Sequence, residues 1–163
     1  MIQGVDVETG SLGHGLSIGI GMAMAIKNTD SKVYVVVGDG ELNEGSMWEA
    51  IMFAGHHKLS NIILIIDNNN LQAMGSSKDI INMRELDLKF ENFGWVSYEV
   101  DGHDIDKLEK AITYYPKSNK PLVVIANTVK GAGVSFMNNK LEWHYQCPTE
   151  EEIKQAISEL EQL

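Results

Sequence analysis

The stretch Gly38-Asp39-Gly40-Glu41-Leu42-Asn43-Glu44-Gly45 separates a short apolar run from a segment with helical periodicity. The run before it, residues 32–37, is rich in β-branched side chains, which is typical of a buried strand. The segment after it, residues 46–58, carries apolar side chains at helical spacing. Asp39 is therefore predicted to lie where a strand ends and a helix begins, and open α/β sheets bind ligands at that edge.

A second apolar run ends in a similar polar cluster. Residues 61–66 are followed by Asp67-Asn68-Asn69-Asn70. If the two strands are parallel, Asp39 and this cluster meet at the same edge of the sheet. Their side-chain oxygens, with a backbone carbonyl and phosphate oxygens, suit Mg²⁺ or Ca²⁺, and the glycines beside Asp39 would let a diphosphate approach. Asp, Asn and Gly are also ordinary turn residues, so the prediction depends on the pair of motifs.

The rest of the chain continues the alternation of strands and helices. Two more strands are predicted at residues 94–100 and 121–128. Helices are predicted at residues 16–27, from residue 105 to a stop at Pro116, and after a capping box at Thr149-Glu150-Glu151-Glu152. The alternation predicts an α/β fold, with an open, mainly parallel sheet and helices on both faces. The length of 163 residues suits one domain over residues 1–163.

Composition narrows the classes of partner and compartment. The net charge of −10 and the pI near 4.8 argue against nucleic acid or an anionic membrane as partners. The apolar stretch at residues 16–26 is too short to span a bilayer. The single cysteine, Cys147, excludes an internal disulfide and fits a reducing compartment. Because no basic region precedes an apolar one at the start, we expect no signal peptide and a cytoplasmic location.

Together these motifs resemble the thiamine diphosphate signature, in which Gly-Asp-Gly is followed about thirty positions later by Asn-Asn. Here Asn69 lies 69 − 39 = 30 positions after Asp39. The wider resemblance is to transketolases, especially the short amino-terminal subunits of split enzymes. It rests on five ordered segments: residues 9–15, 38–45, 67–71 and 128–137, and Trp143-His144. The fold it implies is the diphosphate-binding domain of thiamine diphosphate enzymes.

The resemblance also implies a set of cofactor and metal ligands. Asp39, Asn69 and the backbone carbonyl of Leu71 would hold Mg²⁺, for which Ca²⁺ or Mn²⁺ could substitute. The remaining cofactor contacts would come from the Gly40 N–H, Asn69, Lys130 and His144 on the diphosphate, and from Gly10, Ser11 and Leu12 on the aminopyrimidine.

Two further residues carry catalytic roles by the same resemblance. His144 is the candidate for proton transfer or for holding the donor's oxygen. Glu44 would join an acidic network that reaches a catalytic glutamate of the partner, although a carboxylate in a first helical turn is also favoured by the helix dipole. The Asp101-Gly102-His103-Asp104 run resembles a structural turn, and we prefer that reading, with Asp104 capping the next helix, over a functional His103.

The activity implied by the resemblance is that of a transferase. The complete enzyme would move a two-carbon ketol unit between sugar phosphates, with the cofactor as electron sink. This sequence contains no pyrimidine-binding domain, and family members carry roughly a hundred more residues ahead of the matched segment, a domain's worth of structure. We therefore expect an N-terminally incomplete domain that is inactive alone, a pyrimidine-domain partner subunit, and a homo- or hetero-oligomer.

Two alternatives remain open from the sequence. The chain could be a non-catalytic binding or scaffold relative, because the histidines of the leading segment are not present. It could also belong to another thiamine diphosphate enzyme, such as a deoxyxylulose phosphate synthase or an α-ketoacid decarboxylating subunit. The Thr9-Gly10-Ser11-Leu12-Gly13 segment and Trp143-His144 favour transketolase over these enzymes.

Overall fold

The fold was analysed in a computed structural model, which describes residues 3–113 and 118–162. Within these residues the main sheet has four strands: β1 (Val33–Gly38), β2 (Ile62–Asn68), β5 (Val96–Asp101) and β6 (Leu122–Asn127). A separate hairpin is formed by β3 (Leu71–Gln72) and β4 (Gly75–Ser76). The main sheet has the order β1-β2-β6-β5, and every neighbouring pair in it is parallel. The predicted parallel α/β architecture is confirmed.

Helices cover both faces of this sheet, although unequally. The helices in the described part of the chain are α1 (Gly15–Ala25), α2 (Gly45–His56), α3 (Ser77–Ile80), α4 (Leu86–Asn92), α5 (Ile105–Thr113) and α6 (Glu150–Leu160). Residues of α1, α2 and α4 share one large apolar core with the sheet. On the other face α5 packs on a smaller cluster that includes Ile63, Leu122 and Val124.

Strand β1 is an edge strand whose two faces have different environments. Val33, Val35 and Val37 are buried under the larger core, whereas Tyr34 and Val36 are 54% and 69% exposed. The prediction of a strand here is confirmed, but the expectation of a fully buried strand was wrong. The reason is tertiary. On the face of the sheet away from the larger core, the covering helix α5 packs on β5 and β6, and β1 lies at the other edge of the sheet.

The connection between β1 and α2 contains a turn that the sequence reading did not include. Asp39 follows β1 directly and begins a 3₁₀ segment, Asp39–Asn43. The helix predicted over residues 46–58 is confirmed as α2, Gly45–His56. Buried Leu42 anchors this segment, and the Trp48 indole N–H donates to the Leu42 carbonyl at 2.7 Å. Because this turn lies between them, Asp39 remains at the end of β1 while α2 packs in the larger core.

Other local predictions can be compared with the structure directly. Asp104 caps α5, since its Oδ1 accepts from the Lys107 N–H at 3.0 Å. The capping box of Thr149 and Glu152 is formed at the start of α6. The predicted stop of α5 at Pro116 lies outside the described residues. Across residues 3–113 and 118–162, no helix has the length and apolar character needed to cross a membrane.

Candidate functional site

The candidate site lies at the carboxyl edge of the main sheet, where three parallel strands end side by side. Gly38 pairs with Asp67, and Asn68 pairs with Asn127. Asp39 is the next residue after β1, so its carboxylate is close enough to that of Asp67 for their charges to interact. The predicted meeting of Asp39 with the Asp-Asn cluster at one edge is therefore observed.

Asp39 is a buried carboxylate, only 6% exposed. Burial raises its pKa above the usual value, and the charge of Asp67 adds to the rise. Hydrogen bonds from the Ser77 hydroxyl, at 2.6 Å, and from the Gly40 N–H act in the opposite direction. Within the described residues no ion pair neutralises Asp39. A buried anion without a cationic partner is unfavourable, and a bound cation would remove that penalty.

The Asn cluster is folded against the β3–β4 hairpin. The Asn69 Oδ1 atom accepts from the Leu71 N–H at 2.9 Å, and its Nδ2 donates to Asp67 Oδ2 at 3.4 Å. Asn69 thus lies between the carboxylate of Asp67 and the start of the hairpin. The hairpin also passes over Gly40, because a Cβ atom at that glycine would lie 3.1 Å from the Gln72 Cγ.

The loop that follows β6 is fixed to the same edge. The Thr128 hydroxyl donates to Asp67 Oδ1, and the Thr128 N–H donates to the Asn68 carbonyl at 3.2 Å. The next N–H, that of Val129, donates to His103 Nε2 at 2.8 Å. His103 therefore has a structural contact, in line with the reading preferred from sequence. Lys130 follows directly and is half-buried.

His144 is exposed and ends a 3₁₀ segment, Leu141–His144. The residue after it, Tyr145, donates its hydroxyl to the Ala73 carbonyl at 3.2 Å. Ala73 lies between β3 and β4, so this bond attaches the segment of His144 to the hairpin beside Asn69 and Gly40.

The loop of Gly10, Ser11 and Leu12 is exposed and is attached to the site through the next residue. The Gly13 N–H donates to Glu41 Oε1 at 2.8 Å, and the Ser46 hydroxyl donates to the Gly13 carbonyl at 3.0 Å. Glu41 lies within the Asp39–Asn43 segment, and Ser46 lies shortly after it. Glu44 was predicted in the first turn of the helix, but it is the exposed residue before α2 and makes no side-chain cap bond to the described residues of that helix.

Residues 1–161 match the family model described as transketolase, thiamine diphosphate binding domain. This chain belongs to the transketolase family. An apulose-4-phosphate transketolase subunit of Actinobacillus succinogenes is 46% identical over 159 residues, covering 96% of this chain and 58% of the relative. The 6-deoxy-6-sulfo-D-fructose transketolase subunit SqwG of Clostridium sp. is 40% identical over 161 residues, covering 97% of this chain and 58% of the relative.

A solved structure supports the same family and fold. The transketolase of Campylobacter jejuni superposes with a TM-score of 0.90 at 35% sequence identity. The match covers 97% of this chain and 26% of that one. This transketolase domain therefore spans little more than half the length of the two subunit relatives and about a quarter of the solved enzyme.

The oxygen atoms of the transketolase domain's sheet edge fit a hard divalent cation. No group of three His, Cys, Asp or Glu side chains suited to a metal occurs in the described part of the chain. The available set is instead the Asp39 carboxylate with the neutral oxygens of Asn69 and Leu71. That composition suits Mg²⁺, which is bound through one or two carboxylates together with phosphate oxygens. The Gln72 Nε2 atom is buried without a hydrogen-bond partner among the described residues, so it is a donor that a polar ligand could satisfy.

Three contacts at this edge were missed by sequence reasoning: those of Ser77, Glu41 and Thr128. Ser77 also lines a cleft of about 230 Å³ together with Asp39, Asn68, Arg84 and Glu99. Each missed residue acts on a residue far away in the chain, 38 positions for Ser77 and 28 for Glu41. No local signal identifies such a partner in a single sequence.

Proposed function

We propose that this chain is the diphosphate- and metal-binding half of a transketolase-like transferase that is active only with a pyrimidine-domain partner subunit. The observation that carries the proposal is the buried Asp39 carboxylate, which has no cationic partner among the described residues and lies at the sheet edge beside the Asp67–Asn69 cluster. This is the charge arrangement that a divalent cation and a diphosphate complete.

In this proposal Asp39, Asn69 and the Leu71 carbonyl hold Mg²⁺, with Ca²⁺ or Mn²⁺ as substitutes. The Asn69 Oδ1 atom already accepts the Leu71 N–H, and its second lone pair remains for the metal. One charged ligand and two neutral ones leave the ion with positive charge, which the diphosphate then neutralises.

The diphosphate would be held by the Gly40 backbone, Asn69, Lys130 and His144. Lys130 supports this because it is half-buried in a loop fastened to Asp67 and Asn68 through Thr128. An ammonium group there offsets phosphate charge more strongly than a fully solvated one. The Gly10–Ser11–Leu12 loop, fixed by Gly13 to Glu41, would line the aminopyrimidine side.

Thiamine diphosphate supplies an electron sink for the two-carbon unit. This chain's contribution to the chemistry is proton handling and orientation. His144 is exposed in the chain alone, so a substrate oxygen could reach its imidazole for proton transfer or hydrogen bonding. Glu44 is exposed at the start of α2, where its carboxylate is available to a group of the partner subunit.

The relatives' names support a partner subunit, since both are named as subunits of transketolases. Their names differ in the sugar: one is an apulose-4-phosphate and the other a 6-deoxy-6-sulfo-D-fructose transketolase. The identity of the sugar substrate therefore does not follow from the relatives, and we propose only ketol transfer between sugar phosphates.

Calorimetric titration of thiamine diphosphate with Mg²⁺ into the purified chain tests the proposal. We expect saturable binding that requires the metal and is lost in Asp39→Ala. Asp79→Ala, which removes an exposed carboxylate on α3, is the matched control and should bind as wild type does. Absence of metal-dependent binding, or equal binding by Asp39→Ala, contradicts the proposal and favours a non-catalytic binding module.

A further inference from the structure

Ser77 is not one of the proposed metal ligands, but it makes a hydrogen bond to one of them. Its hydroxyl donates to Asp39 Oδ2 at 2.6 Å, across 38 positions of sequence. Its backbone N–H donates to the Asn70 carbonyl at 3.0 Å, so Ser77 is also fixed to the end of the Asn cluster. The acceptor is only 6% exposed, and Ser77 itself is half-buried.

This bond adds to the one from the Gly40 N–H in restraining the Asp39 side chain. The terminal torsion of an aspartate is broad and roughly two-fold, so a carboxylate without a partner samples many orientations. A short bond from a hydroxyl to an ionised carboxylate is among the stronger kinds, and it fixes one of the two oxygens. The two oxygens of a carboxylate offer about four acceptor sites, so acceptor sites remain for a ligand.

The position of Ser77 in the fold joins this restraint to the rest of the site. Leu71 pairs with Ser76 across the β3–β4 hairpin, and Ser77 is the next residue. The same short segment therefore carries the Leu71 carbonyl on one strand and the hydroxyl that holds Asp39 directly after the other. If the hairpin shifts, both the neutral ligand and the carboxylate shift with it.

We propose that Ser77 is a positioning residue, whose hydroxyl fixes the Asp39 carboxylate in one orientation for a divalent cation and ties that orientation to the β3–β4 hairpin. The inference rests on the proposed function, because it assigns Ser77 a role toward the same metal. Partners that orient metal ligands in this way are worth about tenfold to a hundredfold in metal affinity.

Mn²⁺ titration in the presence of saturating thiamine diphosphate tests this role, with free Mn²⁺ followed by its electron paramagnetic resonance signal. We expect Ser77→Ala to bind Mn²⁺ about tenfold to a hundredfold more weakly than wild type. Ser77→Thr keeps the hydroxyl and should restore binding, and Ser77→Cys, a weaker donor, should be intermediate. Ser76→Ala, on the same hairpin, is the matched control and should bind as wild type does.

Thermal unfolding of each variant without metal separates positioning from folding. A purely structural role lowers the unfolding temperature of Ser77→Ala but leaves the Mn²⁺ affinity of the folded protein unchanged, and that result overturns the inference. Equal weakening by Ser77→Thr and Ser77→Ala also overturns it. If Ser77→Ala does not fold, the comparison of Ser77→Cys with Ser77→Thr decides, and equal affinities contradict the inference.

The Asp39→Asn variant in the same titration identifies which proposal fails. If Asp39→Asn abolishes Mn²⁺ binding while Ser77→Ala does not weaken it, the metal site stands and the role of Ser77 is wrong. If the wild type takes up no Mn²⁺, or Asp39→Asn binds as tightly as wild type, the proposed metal site fails and the inference fails with it.

Discussion

Glu159 on α6 accepts two hydrogen bonds from Ser135, one from the backbone N–H at 2.6 Å and one from the hydroxyl at 2.7 Å. Gln155, one turn earlier on α6, donates to the same carboxylate at 2.7 Å. Ser135 lies in the loop that follows β6 and contains Lys130. Because Ile153, Ile157 and Leu160 are all about half exposed, we expect this polar contact to contribute to the attachment of α6 to the loop.

These bonds make the attachment dependent on pH. The Gln155 side chain and then the two Ser135 donors hold the pKa of Glu159 below its usual 4.5. A carboxyl whose pKa is lowered by folding stabilises the folded state at any pH above its pKa in the unfolded chain. This stabilisation is lost as the pH falls through the pKa of the folded state. Glu159→Gln should therefore lower the unfolding temperature at pH 7 and have no effect at a pH below the folded pKa.

Hydrogen exchange at the Ser135 amide provides the local measurement. Its exchange should be faster in Glu159→Gln than in wild type at pH 7, because the 2.6 Å acceptor has lost its charge. Glu161→Gln, on the exposed end of the same helix, should leave this amide unchanged. Equal exchange in wild type and Glu159→Gln would show that α6 is held by other contacts.

Gly13→Ala should disrupt the loop proposed to line the aminopyrimidine. Gly13 has φ +83°, and a Cβ atom there would lie 2.9 Å from the Glu44 Cβ and against the Ser46 hydroxyl. A side chain in such a conformation costs about 1–3 kcal/mol of stability. Gly15→Ala is the control, since no atom of the described residues lies within 4 Å of its added Cβ and alanine favours the helix that starts there. Urea unfolding should separate the two variants, and equal stability would contradict the prediction.

The parts of the fold that sequence predicts well are those set by neighbouring residues. The central strands β2 and β6 are buried on both faces, so their continuous apolar runs identify them directly. Asp39 and Asn69 follow such runs, and parallel pairing then brings them to one edge. The single apolar face of α5 and the capping box of α6 are local in the same way.

What sequence could not predict depends on contacts between distant segments. The exposure of Tyr34 and Val36 follows from which strands α5 covers, and nothing within residues 33–38 encodes that. The 3₁₀ turn after Asp39 is stabilised by the later Trp48, through its bond to the Leu42 carbonyl. Ser77, which donates to Asp39 from 38 positions away, has no feature in its own segment that distinguishes it from other serines of the chain.

Asp39→Asn should stabilise the metal-free chain while removing the proposed metal site. Burial, with the Asp67 charge, raises the pKa of Asp39 above its usual 3.8 in the folded state. A carboxyl whose pKa is raised by folding makes folding less favourable as the pH rises above its pKa in the unfolded chain. Well below that pKa it has no effect on stability. The variant should therefore gain about 0.5–2 kcal/mol in free energy of unfolding at pH 7.

Urea unfolding at two pH values checks the sign of this effect. The gain should disappear at a pH well below 3.8, where Asp39 is protonated in the folded and unfolded chain alike. The exposed Asp79→Asn variant should show little change at either pH. An Asp39→Asn variant that is less stable than wild type at pH 7 would mean that the carboxylate is already compensated within the chain.

Lys130→Ala should weaken thiamine diphosphate binding with little effect on folding. Hydrogen bonds to charged groups contribute about 1.5–3 kcal/mol, so the loss should be about tenfold to a hundredfold in affinity. Lys140→Ala removes an exposed lysine of the same loop and should bind as wild type does. Because salt screens charges, the difference between the two variants should shrink at high ionic strength. Equal affinities in calorimetry would remove Lys130 from the site.

The outer edge of β1 is the surface on which we expect self-association. Strand β1, Val33–Gly38, contains no charged residue, and among the described residues it pairs with β2 on one side only. It exposes 54% of Tyr34 and 69% of Val36. Unprotected apolar edge strands of this kind pair with other chains, and natural proteins protect them with lysine.

Val36→Lys should therefore shift the chain from an oligomer toward a monomer in size-exclusion chromatography with light scattering. Its folding stability should change by no more than about 0.5 kcal/mol, because the position is on the surface. Met74→Lys places the same charge on an equally accessible apolar residue, 88% exposed but on the β3–β4 turn, and should leave the oligomer intact. A wild-type chain that is monodisperse and monomeric at every concentration contradicts the prediction. Dissociation by both variants would mean that net charge, and not the edge of β1, controls assembly.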